Sequence, residues 1–131
     1  MDEEVKILVV DDDAVTRLIM RRFLNCHGYY TDEAADASEA LSLLAQGNYT
    51  LLISDWRMPG MDGLGLCRRI RKDFPKVPVI IMSGTALKEE EALQAGAVDC
   101  LRKPFDGETL CLMIARALSE RSTTGREIPG D

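Results

Sequence analysis

Apolar residues fall into short consecutive runs separated by segments of helical periodicity. The runs at 7–10, 51–53 and 79–82 are apolar at every position, which is typical of strands that helices cover on both faces. The whole pattern predicts five strands, at residues 5–10, 29–34, 50–54, 79–82 and 98–102. The second run is the weakest, so we expect this strand at or near an edge of the sheet.

Between and after these strands, apolar residues recur at steps of three and four, as they do in amphipathic helices. The predicted helices lie near residues 15–26, 37–45, 66–74, 87–95 and 107–120. In the first helix, the stripe predicted to face the core consists of Val15, Ile19, Phe23 and Cys26. Gly28 is placed to end this helix, because glycine readily adopts the left-handed conformation that often follows one.

Strands that alternate with helices in this way form a parallel α/β sheet. Right-handed crossovers leave few topologies, and we expect the flavodoxin-like, doubly wound order 2-1-3-4-5 with five helices. In that order the ligand crevice lies at the carboxyl ends of strands 1 and 3. Residues 122–131 have no periodicity, so we expect one domain over 1–121, followed by a flexible C-terminal tail or the start of a linker.

Composition and charge narrow the classes of function. The 131 residues are 46% hydrophobic and 29% charged, which is ordinary for a folded globular domain. A net charge of −6 argues against direct binding to nucleic acid, which needs a basic surface. No apolar run approaches the length of a membrane span, and the first residues do not resemble a signal peptide, so we expect a cytoplasmic location. The four cysteines have no C-x-x-C spacing, which suggests neither zinc nor a disulfide framework.

Polar side chains stand at the carboxyl ends of four predicted strands. They are Asp11, Asp12 and Asp13 after strand 1, Asp55 at strand 3, Ser83 at strand 4 and Lys103 after strand 5. Carboxylates about 4 Å apart would repel by about 4 kcal/mol per pair at an effective dielectric constant of 20, so they stay ionised together only with a cation among them. Because the ligands are oxygens, Mg²⁺ is favoured. A lysine and a serine beside such a site can bind phosphoryl oxygens, and an aspartate can act as the nucleophile toward phosphorus.

With these residues the chain resembles the receiver domain of two-component response regulators, and in particular the chemotaxis-regulator-like members. The resemblance covers about residues 5–121. It rests on VVDD at 9–12, on Asp55 followed by MPGMDG at 58–63, on Ser83 after an apolar strand, and on KPF at 103–105.

The resemblance implies a role for each of these positions. Asp55 would accept a phosphoryl group from a histidine kinase or a histidine phosphotransfer protein. The metal, Mg²⁺ or Mn²⁺, would be bound directly by Asp12, Asp55 and the backbone carbonyl of Arg57, and mainly through water by Asp11. In the same way, Ser83 and Lys103 would bind the phosphoryl group.

The resemblance also implies how such a domain works. The chain would be a phosphoacceptor that assists its own phosphorylation and dephosphorylation, not an enzyme. It would switch an output domain or a target protein through the helix 4, strand 5 and helix 5 face, with a phosphorylation-dependent homodimer as one option. The Lys103–Pro104 peptide bond is expected to be cis.

Two departures from the family pattern affect this switch. Cys100 stands three residues before Lys103, where the family usually carries Tyr or Phe. The segment between Ser83 and Lys103 is also about two residues shorter than the family pattern, near the start of helix 4.

Two alternatives stay open at this point. The DDDAV segment at 11–15 fits the D-x-D-x-V motif of haloacid-dehalogenase-like phosphatases, with Asp11 as nucleophile and Asp13 as acid–base. In that alternative Asp55 would have no role. The other alternative is a receiver-like interaction module without phosphotransfer, which Cys100 makes possible. In the receiver interpretation, Asp13 and Asp62 are predicted to be helix caps.

Overall fold

Five strands and five helices alternate along the part of the chain that the structure describes. The computed structural model describes residues 4–84 and 89–126, with the side chains of 120–126 excluded. The elements are β1 Lys6–Val10, α1 Ala14–Cys26, β2 Tyr30–Ala34, α2 Ala37–Gln46, β3 Leu51–Asp55, α3 Gly63–Asp73, β4 Val79–Ser83, α4 Glu89–Gln94, β5 Asp99–Arg102 and α5 Gly107–Arg126. The strands form one parallel sheet in the order β2-β1-β3-β4-β5. The predicted fold and strand order are confirmed.

The central strands are apolar at consecutive positions because both of their faces are covered. In β1, Ile7 and Val9 pack in a cluster with residues of α1 and α5, whereas Leu8 and Val10 pack in a cluster with residues of α2 and α3. Successive side chains of a strand point to opposite faces of the sheet. None of these four side chains has any exposed surface. The side chains on each face of the sheet therefore form a separate core layer.

The predicted core stripe of α1 is wrong in three of its four members, because Val15, Ile19 and Cys26 are exposed and only Phe23 packs against the core. Val15 and Ile19 are each 62% exposed, while Met20 and Leu24 are buried. The helix carries two overlapping apolar stripes, and the contact with the sheet and α5 selects the one through Met20 and Leu24. The other stripe stays on the surface of the domain.

Two helix ends differ from the predicted ones: α3 begins at Gly63, before the predicted start near residue 66, and α5 ends later than predicted. Helix α5 continues to Arg126, so helical backbone extends into the segment predicted as a tail, and residues 127–131 lie outside the described part of the chain. The described part of α4 begins at Glu89. Residues 85–88 also lie outside the described part of the chain. They include the first residues of the predicted fourth helix and the place where the segment is expected to be shortened.

Gly28 follows α1 with φ of +89°, as predicted. Across residues 4–84 and 89–126, none of the helices has the length and hydropathy needed to cross a membrane.

Candidate functional site

Three aspartates meet at the carboxyl edge of the sheet. Asp11, Asp12 and Asp55 each offer a carboxylate oxygen, and these three atoms lie within 4.8 Å of one another. Val10 pairs with Ser54 in the parallel register, so the residues that follow them, Asp11 and Asp55, emerge side by side. The convergence of these three carboxylates follows directly from the strand order.

Asp11 is held in place through most of its polar atoms. Its side chain is only 2% exposed, and its Oδ1 accepts a hydrogen bond from the Asp13 N–H at 2.9 Å. Its own N–H donates to the Ala34 carbonyl at 3.1 Å, and its carbonyl accepts from Arg17 Nη1 at 2.8 Å. Oδ2 is buried and has no hydrogen-bond partner among the described residues.

The surroundings of Asp11 favour a cation. Burial raises the pKa of Asp11, the hydrogen bond from Asp13 opposes that rise, and the charge of Asp55 adds to it. A buried carboxylate oxygen without a hydrogen-bond partner costs free energy, which a proton or a bound cation offsets. Because all the side-chain donors are carboxylate oxygens, the cluster fits a hard cation such as Mg²⁺ or Mn²⁺.

Lys103 brings a positive charge to the same cluster. Its Nζ donates to Asp55 Oδ1 at 3.0 Å and lies 3.8 Å from Asp11 Oδ2. The Lys103 N–H donates to the carbonyl of Ser83 at 2.8 Å, which ties the ends of β4 and β5 together. The Lys103–Pro104 peptide bond is cis, as predicted. The structure therefore brings Lys103 into direct contact with two of the three aspartates.

The remaining predicted residues lie on the same edge of the sheet. Ser83 is the last residue of β4 and is buried. Arg57 lies in the loop after β3, and its exposed guanidinium is 4.6 Å from the centre of the Trp56 ring. The role of the Arg57 carbonyl as a metal ligand stays a prediction.

The two predicted helix caps are confirmed. Asp62 caps α3 by accepting from the Gly65 N–H at 2.9 Å. Asp13 caps α1, accepting from the Val15 N–H at 3.4 Å and from the Thr16 hydroxyl at 2.6 Å. The hydrogen bond from Thr16 lowers the pKa of Asp13. A capping carboxylate with a lowered pKa is poorly suited to the acid–base role that the phosphatase alternative requires of it.

Two residues that support the site have no assigned role in the sequence predictions. Gly63 donates its N–H to the Trp56 carbonyl at 2.7 Å, and a Cβ at this position would overlap the Asp55 carbonyl oxygen. Arg17 binds the Asp11 carbonyl and also pairs with Glu33. Gly63 belongs to the MPGMDG motif and was visible in the sequence, whereas an arginine on a helix is too common to single out.

Comparisons with known proteins agree with this geometry. Residues 7–115 match the family described as response regulator receiver domain. The solved receiver domain of NtrX from Brucella abortus is 35% identical, with a TM-score of 0.82, and the alignment covers 86% of this chain and 98% of that chain. A CheY-like response regulator receiver domain protein from Methanospirillum hungatei is 30% identical, with a TM-score of 0.86 and coverage of 92% and 98%. The signal receiver domain of an HD domain-containing protein from Pseudomonas fluorescens is 31% identical, with a TM-score of 0.86 and the same coverage.

Proposed function

The chain belongs to the response regulator receiver domain family of two-component signal transduction, and on this premise we propose that Asp55 accepts a phosphoryl group from a phosphohistidine. The donor is a histidine kinase or a histidine phosphotransfer protein. The observation that carries the proposal is the contact of 3.0 Å between Lys103 Nζ and Asp55 Oδ1, made inside a cluster of three aspartates.

The chemistry follows from the groups at this edge. A carboxylate oxygen of Asp55 forms a bond to phosphorus while the P–N bond of the phosphohistidine breaks. The electron pair of that bond returns to the imidazole of the partner, which takes up a proton. Lys103 Nζ, which already lies beside the accepting carboxylate, neutralises a phosphoryl oxygen, and the Ser83 hydroxyl donates to another. Water later attacks the aspartyl phosphate and releases inorganic phosphate.

The metal site uses the same carboxylates. Asp12, Asp55 and the Arg57 carbonyl would hold Mg²⁺ or Mn²⁺ directly, and Asp11 would hold it mainly through water. When bound, the ion neutralises charge on the phosphoryl oxygens. The buried Oδ2 of Asp11, which has no hydrogen-bond partner among the described residues, supports this assignment.

The surface next to the site suits contact with an apolar surface of the phosphodonor. An apolar cleft of about 590 Å³ lies between α1 and the start of α5, and Lys103 lines it. Its walls include Ile19, Met20, Phe23, Pro104, Phe105 and Leu110. Because Lys103 borders both the cleft and Asp55, the cleft lies within reach of a partner that brings a phosphohistidine to Asp55. The exposed stripe of α1 is then the natural contact surface.

Ile19→Asp should separate partner docking from chemistry. We expect transfer from a phosphorylated histidine phosphotransfer domain to slow by about tenfold or more, because a charge at the centre of an apolar contact is costly to desolvate. The rate with acetyl phosphate should not change. The donor used is the domain that phosphorylates the wild-type chain fastest in a screen, and the rates are measured by radiolabel transfer.

Leu112→Asp is the matched control, because Leu112 is 63% exposed but lies on α5 and does not line the cleft. Both of its rates should equal those of the wild type. Equal slowing of Ile19→Asp with both donors would count against the docking surface.

For output, we propose the α4, β5 and α5 face. Asp99 on β5 forms an ion pair with Arg116 on α5 at 3.1 Å. Because β5 leads directly to Lys103, and Lys103 contacts Asp55, a change at Asp55 is transmitted to this face through Lys103 and β5. Cys100 is half-buried on the same strand, and its small side chain implies a switch that does not use the swing of an aromatic ring.

We further propose a cytoplasmic location, an output domain or target protein as the downstream partner, and homodimerisation on phosphorylation as an option.

Trp56 fluorescence tests the proposed function without a partner. Trp56 is the only tryptophan, is adjacent to Asp55 and is partly buried. We expect its emission to change on addition of Mg²⁺, and to change again on addition of beryllofluoride, which mimics a phosphoryl group. Both changes should be absent in Asp55→Asn. A wild-type signal that responds to neither addition would favour the alternative of an interaction module without phosphotransfer.

A further inference from the structure

Arg17 on α1 links the acidic site to the edge strand of the sheet. Its Nη1 donates to the Asp11 carbonyl at 2.8 Å, and its Nε donates to Glu33 Oε1 on β2 at 3.0 Å. The side chain of Arg17 is only 17% exposed. The other oxygen of Glu33 accepts from Arg21 Nη1 at 3.1 Å, and the side chain of Arg21 is half exposed. Glu33 thus binds two arginines, of which Arg17 also reaches the site.

We propose that Arg17 is a positioning residue that holds the loop after β1 so that Oδ2 of Asp11 faces the metal position. The inference rests on the proposed function, because it concerns the same metal site. Hydrogen bonds from Arg17 and Asp13, together with the bond to Ala34, engage the Asp11 carbonyl, Oδ1 and N–H. Oδ2 of Asp11, which has no hydrogen-bond partner among the described residues, is then directed toward Asp55 and Lys103.

The geometry of Arg17 explains why this position needs an arginine. A guanidinium offers donors in a rigid plane, so Nε can bind Glu33 while Nη1 binds a second acceptor in another direction. A lysine ammonium at the end of a flexible chain has no such fixed pair of donors. Lysine keeps the positive charge, however, so Arg17→Lys removes the fixed geometry and leaves the electrostatic field of the site nearly the same.

Arg21→Lys is the matched control. It alters the other partner of the same Glu33, on the same helix, with the same change of residue type, and Arg21 has no contact with Asp11 among the described hydrogen bonds. A purely structural role of the network would lower stability in both variants. A positioning role changes metal binding in Arg17→Lys only.

The test is a Mg²⁺ titration of the full chain, in which Trp56 fluorescence is the signal measured. We expect the Mg²⁺ Kd to rise by about tenfold in Arg17→Lys, because residues that orient metal ligands commonly have effects of that size. In Arg21→Lys it should stay within about twofold of the wild type. A second measurement needs no metal: amide hydrogen exchange of Asp13, whose N–H binds Asp11 Oδ1, should be about tenfold faster in metal-free Arg17→Lys.

Glu33→Gln keeps the inference testable if Arg17→Lys fails to fold. The amide oxygen can still accept from Arg17, but without a charge it anchors the guanidinium less firmly, so we expect a smaller rise in the Mg²⁺ Kd of about threefold. A wild-type Kd in both the Arg17 and Glu33 variants, with unchanged exchange at Asp13, would overturn the positioning role alone. A wild-type protein that binds no Mg²⁺ would overturn the proposed metal site and this inference with it.

Discussion

Asp55→Asn should abolish phosphoryl incorporation, with labelling from a radiolabelled small phosphodonor and Mg²⁺ reduced by at least about 100-fold. The reason is that the amide lacks the nucleophilic carboxylate oxygen, while its size and shape are preserved. The domain should remain folded, since the substitution also removes one negative charge from a group of three aspartates. Label is quantified on intact protein and mapped by mass spectrometry, and folding is checked by circular dichroism.

Asp11→Asn provides the comparison that separates the two phosphorylated-aspartate mechanisms. In the receiver mechanism this variant is labelled more slowly, because the metal site is damaged, but the label is still on Asp55. In the phosphatase alternative the nucleophile would be Asp11, so the pattern would be reversed. Label that persists in Asp55→Asn would reject the mechanism proposed for this chain.

Gly63→Ala should have the largest effect on stability, lowering the free energy of unfolding by about 3 kcal/mol. The added methyl group would overlap the Asp55 carbonyl oxygen and would also lie 3.0 Å from the Trp56 Cα. Both are backbone atoms of the segment that carries Asp55, and they cannot rotate away as a side chain can. Relief requires α3 or the end of β3 to move, so we also expect a weaker Mg²⁺ response of Trp56. Stability is measured by urea unfolding.

Gly65→Ala is the matched control for that prediction. A methyl group at Gly65 would meet the Met61 Cγ at 2.9 Å, which belongs to a flexible and partly exposed side chain. Alanine also favours the helix over glycine by up to about 1 kcal/mol, so this variant should be as stable as the wild type or more stable. Surface substitutions usually change the free energy of unfolding by no more than about 0.5 kcal/mol. If the free energy of unfolding of Gly63→Ala lies within that range of the wild type, the close packing of Gly63 against Asp55 does not stabilise the domain.

The strands and the acidic cluster were predictable from the sequence because their signals are local. A strand covered on both faces is apolar at every position, as at 51–53, and this distinguishes a central parallel strand from a half-exposed one. Once the strand order is known, residues at the carboxyl ends of neighbouring strands must share an edge. Asp11, Asp55 and Lys103 could therefore be brought together before any contact between them was known.

The orientation of α1 could not be decided in the same way. Its sequence offers one apolar stripe through Val15 and Ile19 and another through Met20 and Leu24. Periodicity shows that a helix is amphipathic. The two stripes are offset from each other by little more than one residue, so the periodicity does not show which of them faces the sheet. Packing against β1, β3 and α5 selects the second stripe, and that choice leaves Val15 and Ile19 as an exposed surface beside the site.

The sequence alone thus determined the parallel α/β order, the residues at the strand ends and the oxygen-rich chemistry of the site, because each depends on residue type and local spacing. The tertiary structure alone decided which face of α1 is buried, that Arg17 reaches the Asp11 carbonyl, and that Gly63 lies against Asp55. Each of these features depends on how close two segments lie in the folded domain. The segments are distant in the sequence or joined by a sharp turn, so their separation is set only when helices pack against the sheet.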